Sequence, residues 1–280
     1  MTLFQKIIMF LQREMEPPKP WDEYHFLWIG LIIIACVFLF KIKKKDSELQ
    51  LKVVLGTYGI IALLLEIAKQ ISWSCEIDPT TFEMTWDYTW YAAPFQLCTT
   101  PIYISLTCLF LKKSKFRTAL LSYISFFTII GSIVMLLTPQ TCFTEDVLVN
   151  IHTMFLHCGS LVLSIYFLTN GYVKLEKRNY FGAIAVFIFF VGVAEILNIG
   201  IYKSGVLNDE SFNMFYISPY FMEGVPLFGS IVKNIPFELF LLGYIVLLSF
   251  LALIVYAFSY IINKAYIQLK EEDTFRTNSF

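Results

Sequence analysis

Phe237 to Asn263 reads FELFLLGYIVLLSFLALIVYAFSYIIN, 27 residues with one charged side chain, Glu238. A helix rises ~1.5 Å per residue, so about 20 apolar residues cross the hydrocarbon of a bilayer. This run is longer than that and holds no alternation of the kind a membrane barrel strand needs. Six more runs of the same character precede it, at Tyr24–Ile42, Leu51–Ser72, Tyr91–Leu111, Thr118–Thr138, Val147–Asn170 and Tyr180–Ile201. The composition agrees: 57% of the 280 residues are hydrophobic and only 15% charged, against about 25% charged in soluble domains. The fold class expected is therefore an all-α membrane protein, a bundle of seven transmembrane helices. A net charge of -1 leaves no basic surface for nucleic acid.

The loops carry their positive charge alternately. Lys41, Lys43, Lys44, Lys45 and Lys52 flank the first connection. Lys112, Lys113, Lys115 and Arg117 flank the third, Lys174, Lys177 and Arg178 the fifth, and Lys264, Lys270 and Arg276 follow the last run. Trp73 to Trp90 and Pro139 to Asp146 contain no Lys or Arg, and the long sixth loop has only Lys203 and Lys233. By the positive-inside rule the N-terminus is expected outside and the C-terminus inside. Three regions follow: residues 1–23, a short amphipathic helix on the outer surface broken by Pro17, Pro18 and Pro20; residues 24–263, the seven-helix domain; and residues 264–280, a cytoplasmic tail.

Ionisable groups inside a span are costly and mark function by default. With this orientation they concentrate in the outer half of the membrane, while the inner halves read as almost purely apolar. Glu66, Lys69 and Gln70 stand at i, i+3 and i+4 on one face of the second span. Gln96, Cys98, Thr99 and Thr100 open the third. Asn150, His152 and His157 lie in the fifth, and Glu195 and Asn198 near the outer end of the sixth. Their common depth implies a polar chamber between helices, open outward. Each group has a plainer reading too. Glu66 with Lys69 also fits a neutralising ion pair that holds the bundle, and Glu195 with Asn198 fits interhelical hydrogen-bond glue. His152 and His157 are five residues apart, ~140° around a helix, so they do not share a face.

The third run is the odd one. It begins WYAAPFQLCTTP, residues 90–101, with prolines on both sides of Cys98. Pro101 has no N–H, so the Leu97 carbonyl loses its helical partner and the helix is expected to kink beside Cys98. Freed backbone groups at membrane depth need a cavity or a partner. Such a site suits a nucleophile, and a nearby histidine or Lys69 would favour the thiolate. The plainer reading makes Cys98 a small buried hydrophobe, and makes Thr99 and Thr100 backbone-capping hydroxyls rather than rival nucleophiles. Cys75 and Cys142 both fall in outer loops, where a disulfide is an option. The sixth loop, Tyr202 to Pro236, is long, aromatic and turn-rich around Ser218-Pro219-Tyr220-Phe221-Met222-Glu223-Gly224-Val225-Pro226, and is expected to form a lid on the outer leaflet.

In this order along seven spans, Glu66–Lys69, Pro94-Phe95-Gln96-Leu97-Cys98, His152, His157 and the pattern from Asn213-Met214-Phe215-Tyr216 to Pro236-Phe237 resemble the YwaF-like integral membrane proteins of bacteria. That family also takes in a human transmembrane acyltransferase acting on ether phospholipids. The resemblance implies a lipid-modifying protein of a bacterial plasma membrane, with a phospholipid or lysophospholipid as partner. It puts Cys98 at the position of the acyl-carrying cysteine. Gln96 stands where bacterial members commonly have a histidine, so the base would be His157 or His152. The family is also similar to seven-span lipid-ester hydrolases that use Thr and His, which keeps Thr99 in view.

The candidate catalytic residues are thus Cys98, His157, His152, Gln96 and Thr99, with Glu66, Lys69, Glu195 and Asn198 binding substrate, and with no metal and no cofactor. The competing reading is a transporter or small-ligand binder that uses the same chamber. A zinc hydrolase would need His25, His152 and His157 together, without ligand-like spacing. A receptor reading rests on topology alone. A retinal protein would need a lysine inside the last span, and there is none.

Overall fold

The computed structural model describes residues 1–42, 47–78, 80–222, 232 and 234–278. Lys43, Lys44, Lys45, Lys233 and the Glu223–Pro226 part of the expected lid lie outside the described residues. The protein is built almost entirely of helices: α1 (Leu3–Leu11), α2 (Glu23–Lys41), α3 (Glu48–Ser74), α4 (Thr100–Phe110), α5 (Lys115–Leu137), α6 (Val147–Thr169), α7 (Lys177–Ser204) and α8 (Phe237–Asn278). Six of them, α2, α3, α5, α6, α7 and the Phe237–Ala265 part of α8, are long and apolar enough to cross a membrane. A two-stranded antiparallel ribbon, β1 (Cys75–Ile77) with β2 (Met84–Trp86), pairs Cys75 with Trp86 just beyond α3.

The helix ends follow from short polar residues at the boundaries. Ser47, Ser114 and Asp146 accept backbone N–H bonds at the starts of α3, α5 and α6. Gly205, at φ 73°, closes α7 in the left-handed conformation that glycine reaches without strain. α6 is the central element, packed against α2, α3 and α5, while α4 lies along α3 and α7 along α5. The core is aromatic: Tyr123, Phe126, Phe127, Phe167 and Phe187 are fully buried, and the Phe127 and Phe187 rings stack at 4.6 Å. α2 and α8 sit at the periphery and expose rows of large apolar side chains such as Ile34, Phe38, Phe250 and Phe258, a surface that matches lipid and not water.

Two features depart from the sequence reading and a third adds to it. The third run is not helical throughout. Trp90–Ala92 makes one tight turn, Ala93 is extended, and the helix proper is only Thr100–Phe110. Ala93 precedes Pro94, and the proline ring disfavours helical geometry in the residue before it. Second, the bundle is not purely apolar away from the Glu66 cluster. Ser105, Ser122, Ser125, Ser164 and Arg117 are buried there. Most of these hydroxyls bond a carbonyl four residues back in their own helix, so they leave no trace in a hydropathy pattern. Third, the N-terminal arm is pinned to the protein. Gln12 donates to the Ser72 and Cys75 carbonyls at 2.7 and 2.6 Å, the Met15 N–H donates to Glu145 O, and Ile8 is fully buried. The same helix still exposes Leu3, Phe4, Ile7 and Phe10. Cys75 is a free thiol, so no disulfide to Cys142 forms.

α5 is one rod with a π-helical turn at Ile124–Thr128. A π turn displaces one residue from the ladder and frees backbone carbonyls. The Ile124 carbonyl accepts from Thr128 Oγ1 and, across the interface, from Ser164 Oγ on α6 at 3.0 Å. Tyr123, at the start of this turn, reaches Thr100 on α4, with its hydroxyl 2.9 Å from the threonine's.

Candidate functional site

The site is built on the last two turns of α3. Glu66, Lys69 and Gln70 share a face as their spacing requires, and the carboxylate of Glu66 is the hub. Its Oε1 accepts from Lys69 Nζ and Gln70 Nε2, both at 2.8 Å, and its Oε2 meets His152 Nε2 of α6 at 2.6 Å. Lys69 and Gln70 also donate to one backbone acceptor, the Ala92 carbonyl, at 3.0 and 2.6 Å. Glu66, Lys69 and His152 are 4%, 8% and 5% exposed. A buried charge persists when it is paired and hydrogen-bonded, and here one anion, one cation and an imidazole satisfy each other. A carboxylate on one ring nitrogen fixes how the imidazole is turned, the role an acid plays behind a catalytic histidine.

The segment before α4 faces this cluster. Its irregular backbone frees carbonyls, and hydroxyls from the same stretch take them. Thr100 Oγ1 donates to Leu97 O at 2.8 Å, filling the bond that Pro101 cannot make. Thr99 Oγ1 accepts from Gln96 N and lies 3.1 Å from Pro94 O, which also accepts from the Tyr103 hydroxyl. Thr99 and Thr100 therefore sit in capping positions. Cys98 lies within electrostatic reach of Lys69 and Glu66 and near the tyrosines at 58, 103, 123 and 216. Among the described residues neither histidine hydrogen-bonds it.

Gln96 and Asn198 both bond the sixth loop. The Gln96 amide donates to Asn213 O at 2.9 Å and accepts from Phe215 N at 2.8 Å. The Asn198 amide accepts from Met214 N at 2.7 Å and donates to Met214 O at 3.1 Å. Two amide clamps, one from the non-helical stretch before α4 and one from α7, thus hold residues 213–215 of the sixth loop. Phe215 and Tyr216 stand there at φ 58° and 59°, a left-handed conformation rare for bulky residues that persists only where surroundings impose it. Phe215 is fully buried with its ring 5.7 Å from that of Phe95.

The remaining candidates lie apart. His157 points to α5, where a Cβ built on Gly131 would sit 3.9 Å from its Cε1, so the two histidines of α6 serve different neighbours. Glu195 has both carboxylate oxygens buried, beside Asn198, and among the described residues neither makes a hydrogen bond of normal geometry. His25, at the outer end of α2, accepts the Trp21 N–H on Nδ1. Among the described residues no three His, Cys, Asp or Glu side chains converge to hold a metal ion. Sequence reasoning missed the Ala92 carbonyl, Tyr103, Tyr123 and Asn213. Only the two prolines hinted that backbone groups would join the site.

The fold and site together define a polytopic α-helical membrane protein with a buried ionic cluster beside a broken helix. The chain belongs to the TMEM164 family, whose description matches residues 20–262. That stretch spans every element from just before α2 to the apolar part of α8, and includes every residue of the cluster. Neither the curated proteins nor the solved structures compared with it gave a match.

Proposed function

We propose that the protein modifies membrane lipids by acyl-ester chemistry at Cys98. The observation that carries this reading is the buried Glu66–Lys69–His152 cluster in electrostatic reach of a cysteine on a non-helical segment. In the proposed reaction the Cys98 sulfur attacks the carbonyl carbon of a phospholipid ester. The S–C bond forms and the C–O bond breaks. The thiol proton passes by way of His152 to the leaving lysophospholipid oxygen. The hydroxyl of a lysophospholipid acceptor, or water, then attacks the thioester carbonyl; a C–O bond forms, the S–C bond breaks, and the acceptor's proton returns by way of His152 to the Cys98 sulfur. Lys69 supports the anionic sulfur, Glu66 orients His152, and Gln96 and Asn198 hold the sixth loop over the segment. The non-helical stretch and α4 together make the third of seven crossings, with the N-terminus outside, so the site faces the outer leaflet.

The test is incubation of the purified protein with a labelled phospholipid and a lysophospholipid acceptor, beside Cys98→Ala. An acyl adduct on Cys98 by mass spectrometry and product lost in the variant are expected. Turnover unchanged in Cys98→Ala would overturn the nucleophile. Absence of both adduct and turnover across lipid classes would overturn the activity. A second reading, a transporter or ligand binder, draws support from the buried carboxylate oxygens of Glu195. Solute uptake lost in Glu195→Gln and intact in Cys98→Ala would favour it.

A further inference from the structure

We propose that the opposite end of the bundle holds a second site, a cradle for the phosphate of an acidic phospholipid head group. A cavity of about 430 Å³ opens there between the α4–α5 and α6–α7 connections. Its lining includes Lys113, Lys115, Arg117, Lys174 and Arg178, and no Asp or Glu. Lys113, Arg117 and Arg178 all have partners nearby. Arg117, itself buried, forks onto the Glu48 carboxylate with two contacts of 2.7 Å, and Arg178 meets Glu176 at 2.6 Å. Lys115 and Lys174 have no carboxylate partner among the described residues, so the cavity keeps a net positive charge.

The backbone adds to it. The first turns of α5 and α7 both line the cavity, α5 through Lys115, Arg117 and Thr118 and α7 through Arg178 and Asn179. Helix N-termini point free N–H groups and a partial positive charge at whatever lies before them. α7 starts without a side-chain cap. Beneath, the two helices close. A Cβ built on Gly182 would stand 3.1 Å from Ala119 Cβ, which gives the cavity a floor.

The rim is held in place. Tyr172 donates to Ser47 O at 2.7 Å, Asn179 to Lys174 O at 2.8 Å, and Tyr256 to Leu175 O at 3.2 Å. Gly171, at φ 78°, allows the connection to double back toward α3. A fixed, basic, two-helix cradle is the geometry that recognises a phosphate.

The neighbours of these turns select lipid over a soluble phosphate. Phe110, Phe116 and Phe181, at the end of α4 and in the first turns of α5 and α7, are 88%, 59% and 62% exposed. Aromatic side chains exposed beside lysines are what an interface with acyl chains accommodates. The cradle lies at the end of α3 away from the Glu66 cluster, so it stands independently of the acyl-ester reading.

The test uses the full chain in detergent, titrated with phosphatidylglycerol or with phosphatidylcholine and read by native mass spectrometry. Retention of phosphatidylglycerol in preference to phosphatidylcholine is expected. A Lys115→Gln/Lys174→Gln variant should lose affinity by about fivefold for each lysine removed. A Lys52→Gln/Lys264→Gln variant removes the same charge from outside the cavity and should stay within about twofold. Lys115→Arg/Lys174→Arg should bind as the wild type does, which separates lost charge from lost folding. Equal losses in the two glutamine variants, or no preference between the lipids, would overturn the site. Displacement of the lipid by millimolar inorganic phosphate would assign the cradle to a soluble phosphate and overturn the lipid assignment. Cys98→Ala should leave lipid retention unchanged.

Discussion

The Glu66 end of the bundle and the interior of α5 both bury polar side chains, but they use them differently. At the Glu66 end, Glu66, Lys69, Gln96 and Asn198 bond atoms of other elements, and the two bonds of Gln96 cross more than a hundred residues of sequence. Along α5, the hydroxyls of Ser122, Ser125, Thr128 and Ser132 each bond the carbonyl four residues back. The first kind of bond fixes where helices and loops stand relative to each other. The second only satisfies a hydroxyl inside its own helix, so that a small side chain can lie at a tight interface. Burial of a polar group is therefore not one signal but two, and the partner's distance along the chain tells them apart.

The largest effect should come from removing the hub. Glu66→Gln leaves Lys69 and His152 buried with a neutral acceptor, and breaking a buried ion pair from one side costs about 3–5 kcal/mol. Thermal unfolding in detergent should show a large destabilisation. A Glu66→Leu/Lys69→Met/His152→Leu variant, apolar throughout, should recover most of the loss and yet be inactive. If that variant stays as unstable as the single change, the cluster is not held together by mutual charge compensation.

Next come the clamps. Gln96→Ala strands the Phe215 N–H and Asn198→Ala the Met214 N–H, at about 1–3 kcal/mol for each unsatisfied buried group, while the Asn213 and Met214 carbonyls keep the Tyr216 and Ile217 N–H groups as donors. Amide exchange at Met214 and Phe215 should quicken in both variants, whereas Gln70 and Lys69 keep their bonds to Ala92. Unchanged exchange would mean the loop is held by the packing of Phe215 and not by the two amides.

Smaller still, Ser122→Ala and Ser132→Ala should shift stability by no more than about 0.5 kcal/mol, because each hydroxyl leaves with the one bond it makes among the described residues. A loss as large as that at the Glu66 end would show that these hydroxyls reach across an interface.

The smallest effect belongs to a local cluster outside the membrane. Asp78 is held near 2 by the Thr80 hydroxyl and by the Thr81 and Thr80 N–H groups. Its folded pKa lies below its ordinary value, so its contribution is complete above that value and fades as pH falls through about 2. Protection of the Thr80 and Thr81 amides, taken relative to their intrinsic exchange rates, should fall over that range in the wild type and stay constant in Asp78→Asn.

The helices were legible because hydropathy is a sum over neighbours. The run from Phe237 becomes α8, and Leu51–Ser72 falls within α3. The shared face of Glu66, Lys69 and Gln70 was legible for the same reason, since spacing of three and four residues is fixed by helix geometry. Proline chemistry located the break before α4, and the lost partner of Leu97 O. Its extent was not legible, because the capping by Thr99, Thr100 and Tyr103 that stabilises ten residues without an α-helix depends on which way those side chains turn.

By itself, then, the sequence determined an integral membrane protein of apolar helices, the shared face of Glu66, Lys69 and Gln70 and the break beside Cys98. Each of these is set by residues within a few positions of one another. Only the tertiary structure decided that Glu66 answers to His152, that His157 does not, that Gln96 and Asn198 grip the sixth loop, and that α5 and α7 open a basic cradle together. Those pairings depend on the rotation and depth of one helix against another. That arrangement is fixed by packing of the whole bundle, at the tight approach of Gly59 to Leu106 and Ser105 for example, and no local window of sequence contains it.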